Sequence, residues 1–110
     1  MTGNPSQLRQ VLDILLDNAR KYSRANGTTW VTLRRHGKGH CILAVANEGD
    51  EISPKDLSNI FKRFYRADQA RTRTGSFGLG LSIAETIITR HKGKIWAESR
   101  DNINTFFVEL

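Results

Sequence analysis

A chain of 110 residues has room for one domain around one core. Its 17 Lys and Arg against 11 Asp and Glu give a formal net charge of +6, which favours an anionic partner without choosing among nucleotide, nucleic acid, acidic protein and membrane surface. A single cysteine, Cys41, excludes an internal disulfide and fits a reducing compartment; no apolar run approaches membrane-spanning length, and no secretion signal is legible.

Asn4-Pro5 reads as a helix start, with Asn4 as N-cap and Pro5 in the first helical position. Leu8, Val11, Leu12, Leu15, Leu16 and Ala19 then recur at three- and four-residue spacing, which predicts a helix to about Tyr22. Ser23 to Gly27 breaks it. Thr28 to Arg35, with Val31 and Leu33 on one face, and Cys41 to Asn47 predict a hairpin across the turn His36 to His40. Cys41 opens an apolar run and is expected to be buried. Ser53-Pro54 caps a short helix through roughly Phe64, with Leu57, Ile60, Phe61 and Phe64 on one side. Arg66 to Phe77 is polar and basic and reads as a mobile loop. A third helix spans about Gly78 to His91 and stops at Gly93. Lys94 to Arg100 and Thr105 to Leu110 predict a closing hairpin across Asp101 to Asn104. Helices interspersed with hairpins give an α+β two-layer sandwich, a mostly antiparallel sheet with about three helices on one face.

Two stretches carry chemistry. Gly75, Gly78 and Gly80 lead straight into the third helix. Glycine lets backbone approach a ligand closely, and a helix start directs unpaired N–H groups and a positive dipole end at it. That outlines a phosphate site; a loop closing onto a core helix is the alternative. On the first helix Asn18, Lys21 and Tyr22 share a face beside the leucine stripe. An amide oxygen suits Mg²⁺, an ammonium suits phosphate, and a phenol adds a hydrogen bond. From the triplet alone a solvated helix face is the favoured reading.

Taken in order, these pieces resemble the boxes of bacterial sensor histidine kinases. Leu12 to Ser23 resembles the asparagine box, Asn47 to Ile52 the first glycine box, Ile60 to Asp68 the phenylalanine box and lid entry, and Gly75 to Ala84 the second glycine box. The resemblance covers nearly the whole chain. It implies the ATP-binding sandwich shared with gyrase and the large heat-shock chaperone, Mg²⁺-ATP as ligand, and transfer of the γ-phosphoryl group to a histidine. It assigns Asn18 to Mg²⁺; Lys21 and Tyr22 to the phosphates; Arg66 and Arg71 to the terminal phosphate as lid arginines; Asn47, Gly49 and Ile52 to the adenine side; and Gly75, Gly78, Leu79, Gly80 and Leu81 to the phosphate loop. Lys21, Arg66 and Arg71 are the implied catalytic groups.

Three of the boxes depart from the family pattern. Asn47 stands where an aspartate usually accepts from the adenine amino group; it keeps an acceptor oxygen and loses the charge. Glu51 replaces a glycine, and Ser76-Phe77 replaces small residues. Ile14 stands where many members carry another asparagine and ATP-hydrolysing relatives carry a glutamate, so water has no obvious base there. The expectation is therefore a single catalytic ATP-binding domain, residues 1–110, from the cytoplasmic portion of a longer inner-membrane sensor. Its partners would be ATP, the helical hairpin carrying the phosphoacceptor histidine and, through that hairpin, a response regulator. No nucleic acid and no membrane contact by this domain are expected. His36, His40 and His91 read as surface histidines. A pseudokinase or anti-sigma-type serine kinase of the same fold is the alternative, with a basic nucleic-acid-binding domain behind it.

Overall fold

The computed structural model describes residues 5–24, 26–35, 37–62 and 80–110, and of Tyr22 the backbone only. Their elements are α1 (Pro5–Tyr22), β1 (Thr29–Arg35), β2 (Cys41–Glu48), α2 (Pro54–Asn59), α3 (Gly80–Arg90), β3 (Lys94–Arg100) and β4 (Ile103–Glu109). The strands form one sheet in the order β1-β2-β4-β3, and each pairing among the described residues is antiparallel. The helices lie on one side, as an α+β sandwich requires: α1 over β2 and β4, and α3 over β3 and against α1.

The core follows from two periodicities meeting. On α1 Val11, Leu15 and Ala19 are buried at i, i+4 and i+8; on α3 Leu81, Ala84, Ile87 and Ile88 are buried. Beneath them Val45 pairs with Phe106, and Leu43 with Val108. Strand side chains alternate, so these share the helix side and join one cluster with Ile52 and Ile60. The opposite face carries Trp30, Ile42, Ala44, Ala46, Trp96 and Phe107, with the last two rings stacked at 5.1 Å.

Several sequence expectations need correction. Leu16 is 38% exposed, because the buried stripe of α1 runs through positions 11, 15 and 19 and leaves it on the flank. Val31 and Leu33 share the helix side, as the alternation predicts, yet are 51% and 69% exposed; the helices cover β2, β4 and β3 and stop short of β1. Helix α2 ends at Asn59, so Ile60 reaches the core from a turn closed by Lys62 N–H to Asn59 O at 2.8 Å. The last hairpin turns on Asp101 and Asn102 alone, at φ 55° and 61°, and Ile103 and Asn104 belong to β4. Cys41 is half-buried. His91 is half-buried too, with Nδ1 2.8 Å from Ile87 O.

The end of α3 departs from the sequence reading in its chemistry. Lys92, at φ 62°, takes the left-handed position assigned to Gly93. Gly93 N–H then reaches Ile88 O at 2.9 Å and Lys92 N–H reaches Thr89 O at 2.9 Å, a Schellman closure. Gly93 is needed for space: a Cβ there would stand 2.3 Å from the Glu109 carbonyl oxygen. The Asn4 cap, His36 and the segment 63–79 lie outside the described residues.

Candidate functional site

The C-terminal end of α1 is tied to the C-terminal end of β2. Arg24 N–H donates to Glu48 O at 2.9 Å, Glu48 N–H to Thr28 O at 3.0 Å, and Thr28 N–H to Glu48 Oε1 at 2.8 Å. These hydrogen bonds from Thr28 hold the Glu48 carboxyl below its usual range, against a small desolvation penalty and with help from Arg24. Gly27 completes the link: a Cβ there would meet the Arg24 and Glu48 carbonyl oxygens at 3.0 and 3.1 Å. Asn18, a little over one turn before the end of α1, and Asn47, next to Glu48, are thereby brought to one end of the sandwich.

Both asparagines are buried, Asn18 at 8% exposure and Asn47 at 0%. Among the described residues no group accepts from Asn18 Nδ2, and neither Nδ2 nor Oδ1 of Asn47 has a hydrogen-bond partner. Buried amides are ordinarily satisfied, and each orphaned group costs about 1–3 kcal/mol. The neighbouring residue supplies an internal control. Asn104 sits directly across the ladder from Asn47 and is equally buried. Its Oδ1 accepts from Ser99 Oγ at 2.6 Å and its Nδ2 donates to Asp50 O at 2.9 Å. One asparagine of the pair is fully used in holding the fold; the other keeps a donor and an acceptor in reserve.

Asn104 is also part of what fixes the loop after β2. Ser99 Oγ accepts from Ile52 N–H at 2.8 Å, so Asp50, Asn104, Ser99 and Ile52 form one chain of hydrogen bonds. Gly49 N–H donates to Asn102 O at 3.0 Å, and the Glu51 carboxylate lies 3.4 Å from Asn102 N–H. The side chain that replaces a glycine at 51 is thus directed to the β3–β4 turn. Sequence reasoning missed Asn104, Ser99 and Glu48. A polar Asn102-Ile103-Asn104-Thr105 at the start of a strand reads as turn, and nothing local announces a partner 54 positions away in Asp50.

Lys21 lies on the same end of α1, its ammonium 3.3 Å from Asp17 Oδ2, while Arg20 donates to Asp17 Oδ1 at 2.6 Å. Burial works to raise the Asp17 carboxyl, but the hydrogen bonds and charges of Arg20 and Lys21 outweigh it and hold it below the usual range. Gly80 opens α3, which runs against α1, and a Cβ on Gly80 would touch Ile14 Cγ2 at 3.4 Å. The first amides of α3 are therefore at the same end as Asn18 and carry its positive dipole. The Leu81 and Ile52 side chains belong to the core, so what these residues can offer a ligand is chiefly backbone. Asn18, Lys21, Asn47, Gly49, Ile52, Gly80 and Leu81 thus gather at one end, together with the backbone of Tyr22. Arg66, Arg71, Gly75, Gly78 and Leu79 lie outside the described residues.

No group of three or more His, Cys, Asp or Glu that could hold a metal ion exists among the described residues. To a divalent cation at this end Asn18 can offer one neutral oxygen, and such an ion ordinarily completes its shell with phosphate oxygens and water.

The chain matches, over residues 3–110, the family described as histidine kinase-, DNA gyrase B- and HSP90-like ATPases. It is 42% identical over 112 residues to the sensor protein VanS of Enterococcus faecium, covering 100% of this chain and 28% of VanS. Among solved structures it is similar to the mycobacterial sensor histidine kinase MprB, with 28% identity, a TM-score of 0.91, and 100% of this chain and 75% of that one covered. It is also similar to full-length ShkA in complex with AMPPNP, with 26% identity, a TM-score of 0.80, and 94% and 21% covered.

Proposed function

This chain belongs to the histidine kinase-, DNA gyrase B- and HSP90-like ATPase family, and from that premise we propose that it is one catalytic domain, residues 1–110, which binds Mg²⁺-ATP and donates the γ-phosphoryl group to a histidine on a separate helical hairpin. Since the chain spans 28% of the length of VanS, the hairpin and the response regulator it serves are proposed as parts of a longer sensor system, with this domain on its cytoplasmic side. The observation that carries the reading is the pair of buried asparagines: among the described residues Asn47 has no partner for either polar atom, and Asn18 has none for Nδ2.

Each group then has a task. The adenine edge presents a donor and an acceptor together, and the Asn47 carboxamide matches both in a dry setting. The loop from Gly49 to Ile52 is immobilised on Ser99, Asn102 and Asn104, so the pocket wall is in place before the base arrives. Asn18 supplies one hard oxygen to Mg²⁺, whose role when bound is to neutralise phosphate charge. Lys21 pivots from Asp17 towards a phosphate, and Asp17 keeps it extended in the ligand's absence. The amides of Gly80 and Leu81, with Gly75, Gly78 and Leu79, cradle the phosphates. Arg66 and Arg71 stabilise charge on the transferring group. Ile14 packs on the core beside Gly80 and offers no base for water, which favours a phosphate donor over an ATPase.

Calorimetry with Mg²⁺-AMPPNP tests the ligand. Saturable binding that weakens when Mg²⁺ is chelated supports the reading. Failure to bind AMPPNP under conditions where the domain is folded overturns it.

A further inference from the structure

Cationic side chains gather at the end of the sheet opposite Asn47. Arg34, Arg35 and Lys38 stand on the β1–β2 hairpin, Arg90 and Lys92 at the end of α3, and Lys94 at the start of β3, all exposed. Register brings these separate elements together. Arg34 lies in one row with Ile42, Glu109 and Lys94. Arg35 pairs with Cys41, whose backbone in turn pairs with Leu110 at 2.9 and 3.0 Å. Four strands about 4.8 Å apart make that row about 14 Å wide. Glu109 is the acidic side chain within it, whereas Glu48, Asp50, Glu51 and Asp101 lie at the other end of the sheet, on or beside the pairs Glu48–Ile103 and Arg100–Ile103. Six exposed cations thus meet at this pole, although Arg20, Lys21, Arg24 and Arg100 stand at the other.

Two further features choose the partner. Val31, 51% exposed, and Leu33, 69% exposed, follow one another on the helix side of β1 and lead to Arg35 on the same side. Gly37 and Gly39, at φ 69° and 78°, turn its tip without bulk. Exposed apolar side chains beside cations on a hairpin suit a bilayer interface, where the former enter the acyl boundary and the latter meet phosphates. Single-stranded nucleic acid is held on aromatic platforms inside a positive field. Trp30, Trp96 and Phe107 lie instead on the back of the sheet, in two rows whose one charged side chain is Glu98.

We propose that the β1–β2 hairpin, with the adjoining end of α3 and start of β3, is a docking surface for a lipid bilayer bearing anionic headgroups. This departs from the expectation that the domain makes no membrane contact. It stands apart from the nucleotide reading, because it uses the opposite end of the molecule. In a longer sensor it would hold the domain against the membrane through Arg34, Arg35 and Lys38 and release it at high ionic strength.

Co-sedimentation of the 110-residue chain with vesicles tests this. Equimolar phosphatidylglycerol and phosphatidylcholine is compared with phosphatidylcholine alone. Binding is expected to the anionic vesicles, to fall as salt rises, and to drop about a hundredfold when Arg34→Gln, Arg35→Gln and Lys38→Gln are combined. Leu33→Ser should weaken it at unchanged charge. Lys92→Gln with Lys94→Gln, on other elements, repeats the charge test if the hairpin variant fails to fold, and Lys55→Gln on α2 should bind as the wild type does. Equal partition into neutral vesicles overturns the proposal, as does undiminished binding by the folded charge variants. Displacement from anionic vesicles by a single-stranded oligonucleotide at equal phosphate concentration would assign the pole to nucleic acid instead.

Discussion

Replacing Asn47 by leucine separates what the residue does for the fold from what it does for a ligand. The side chain is 0% exposed, and neither of its polar atoms is satisfied among the described residues. Two orphaned groups at about 1–3 kcal/mol each set a ceiling of about 6 kcal/mol on the penalty carried by the free domain. Relaxation or a trapped water lowers it, and leucine shares the branching of asparagine while its bulkier methyl groups add a packing cost, so a net stabilisation of about 1–3 kcal/mol is expected for Asn47→Leu. In a chain of this size that corresponds to a rise of about 4–12 °C in melting temperature. Urea denaturation and thermal melts of the free domain read it directly, and calorimetry with Mg²⁺-AMPPNP reads the other half, a loss of binding. The companion Asn47→Asp should bind as well or better, since a charged acceptor makes the stronger bond. A free Asn47→Leu domain destabilised by more than about 1 kcal/mol would show that Asn47 is satisfied without ligand. Undiminished binding by that variant would remove Asn47 from the site.

Three further outcomes follow from the geometry. Asn18→Ala should weaken Mg²⁺-ATP much more than metal-free ADP in calorimetry; equal loss would make Asn18 a purely structural residue. Ser99→Ala removes the hinge of the Asp50–Asn104–Ser99–Ile52 chain, so stability should fall by about 1–3 kcal/mol and the Ile52 amide should exchange faster, whereas unchanged exchange would mean the loop is held elsewhere. The Asp17 carboxyl is depressed in the folded state because, against the raising effect of burial, Arg20 and Lys21 hold it ionised. Its contribution is therefore present above the ordinary aspartate range and is lost as pH falls through the folded value. Asp17→Asn should flatten that acid limb and cost no more than about 1 kcal/mol at neutral pH, since the pair is partly exposed; superimposable acid limbs would show the ion pairs to be inert.

The sequence made α1 and the two hairpins legible because period and punctuation agreed there: Val11, Leu15 and Ala19 at helical spacing, and glycines on either side of Lys38. It made Asn47 visible only through the order of the boxes, and Asn18 through its helix face with Lys21 and Tyr22, since an asparagine in a helix or strand carries no local sign of being buried and unpaired. What it could not convey are relations between distant positions. Asn104 is read as turn from its own propensity, yet Ser99 and Asp50 make it the best-satisfied buried amide of β4. Gly93 looks like a left-handed cap, while its real constraint is the Glu109 carbonyl of another strand. The alternation of Val31 and Leu33 announces a face, but whether helices cover that face depends on where α1 and α3 lie.

The central claim is that this domain is a phosphate donor to a histidine, and phosphoryl transfer in trans tests it most directly. The domain is incubated with labelled Mg²⁺-ATP and the phosphoacceptor hairpin of the parent kinase, and the chemistry of the label is then read. The account predicts negligible turnover by the domain alone and label on the hairpin that is acid-labile and alkali-stable, as a phosphoramidate is. Brisk ATP hydrolysis by the isolated domain, or an acid-stable phosphoserine on an added partner, would contradict it.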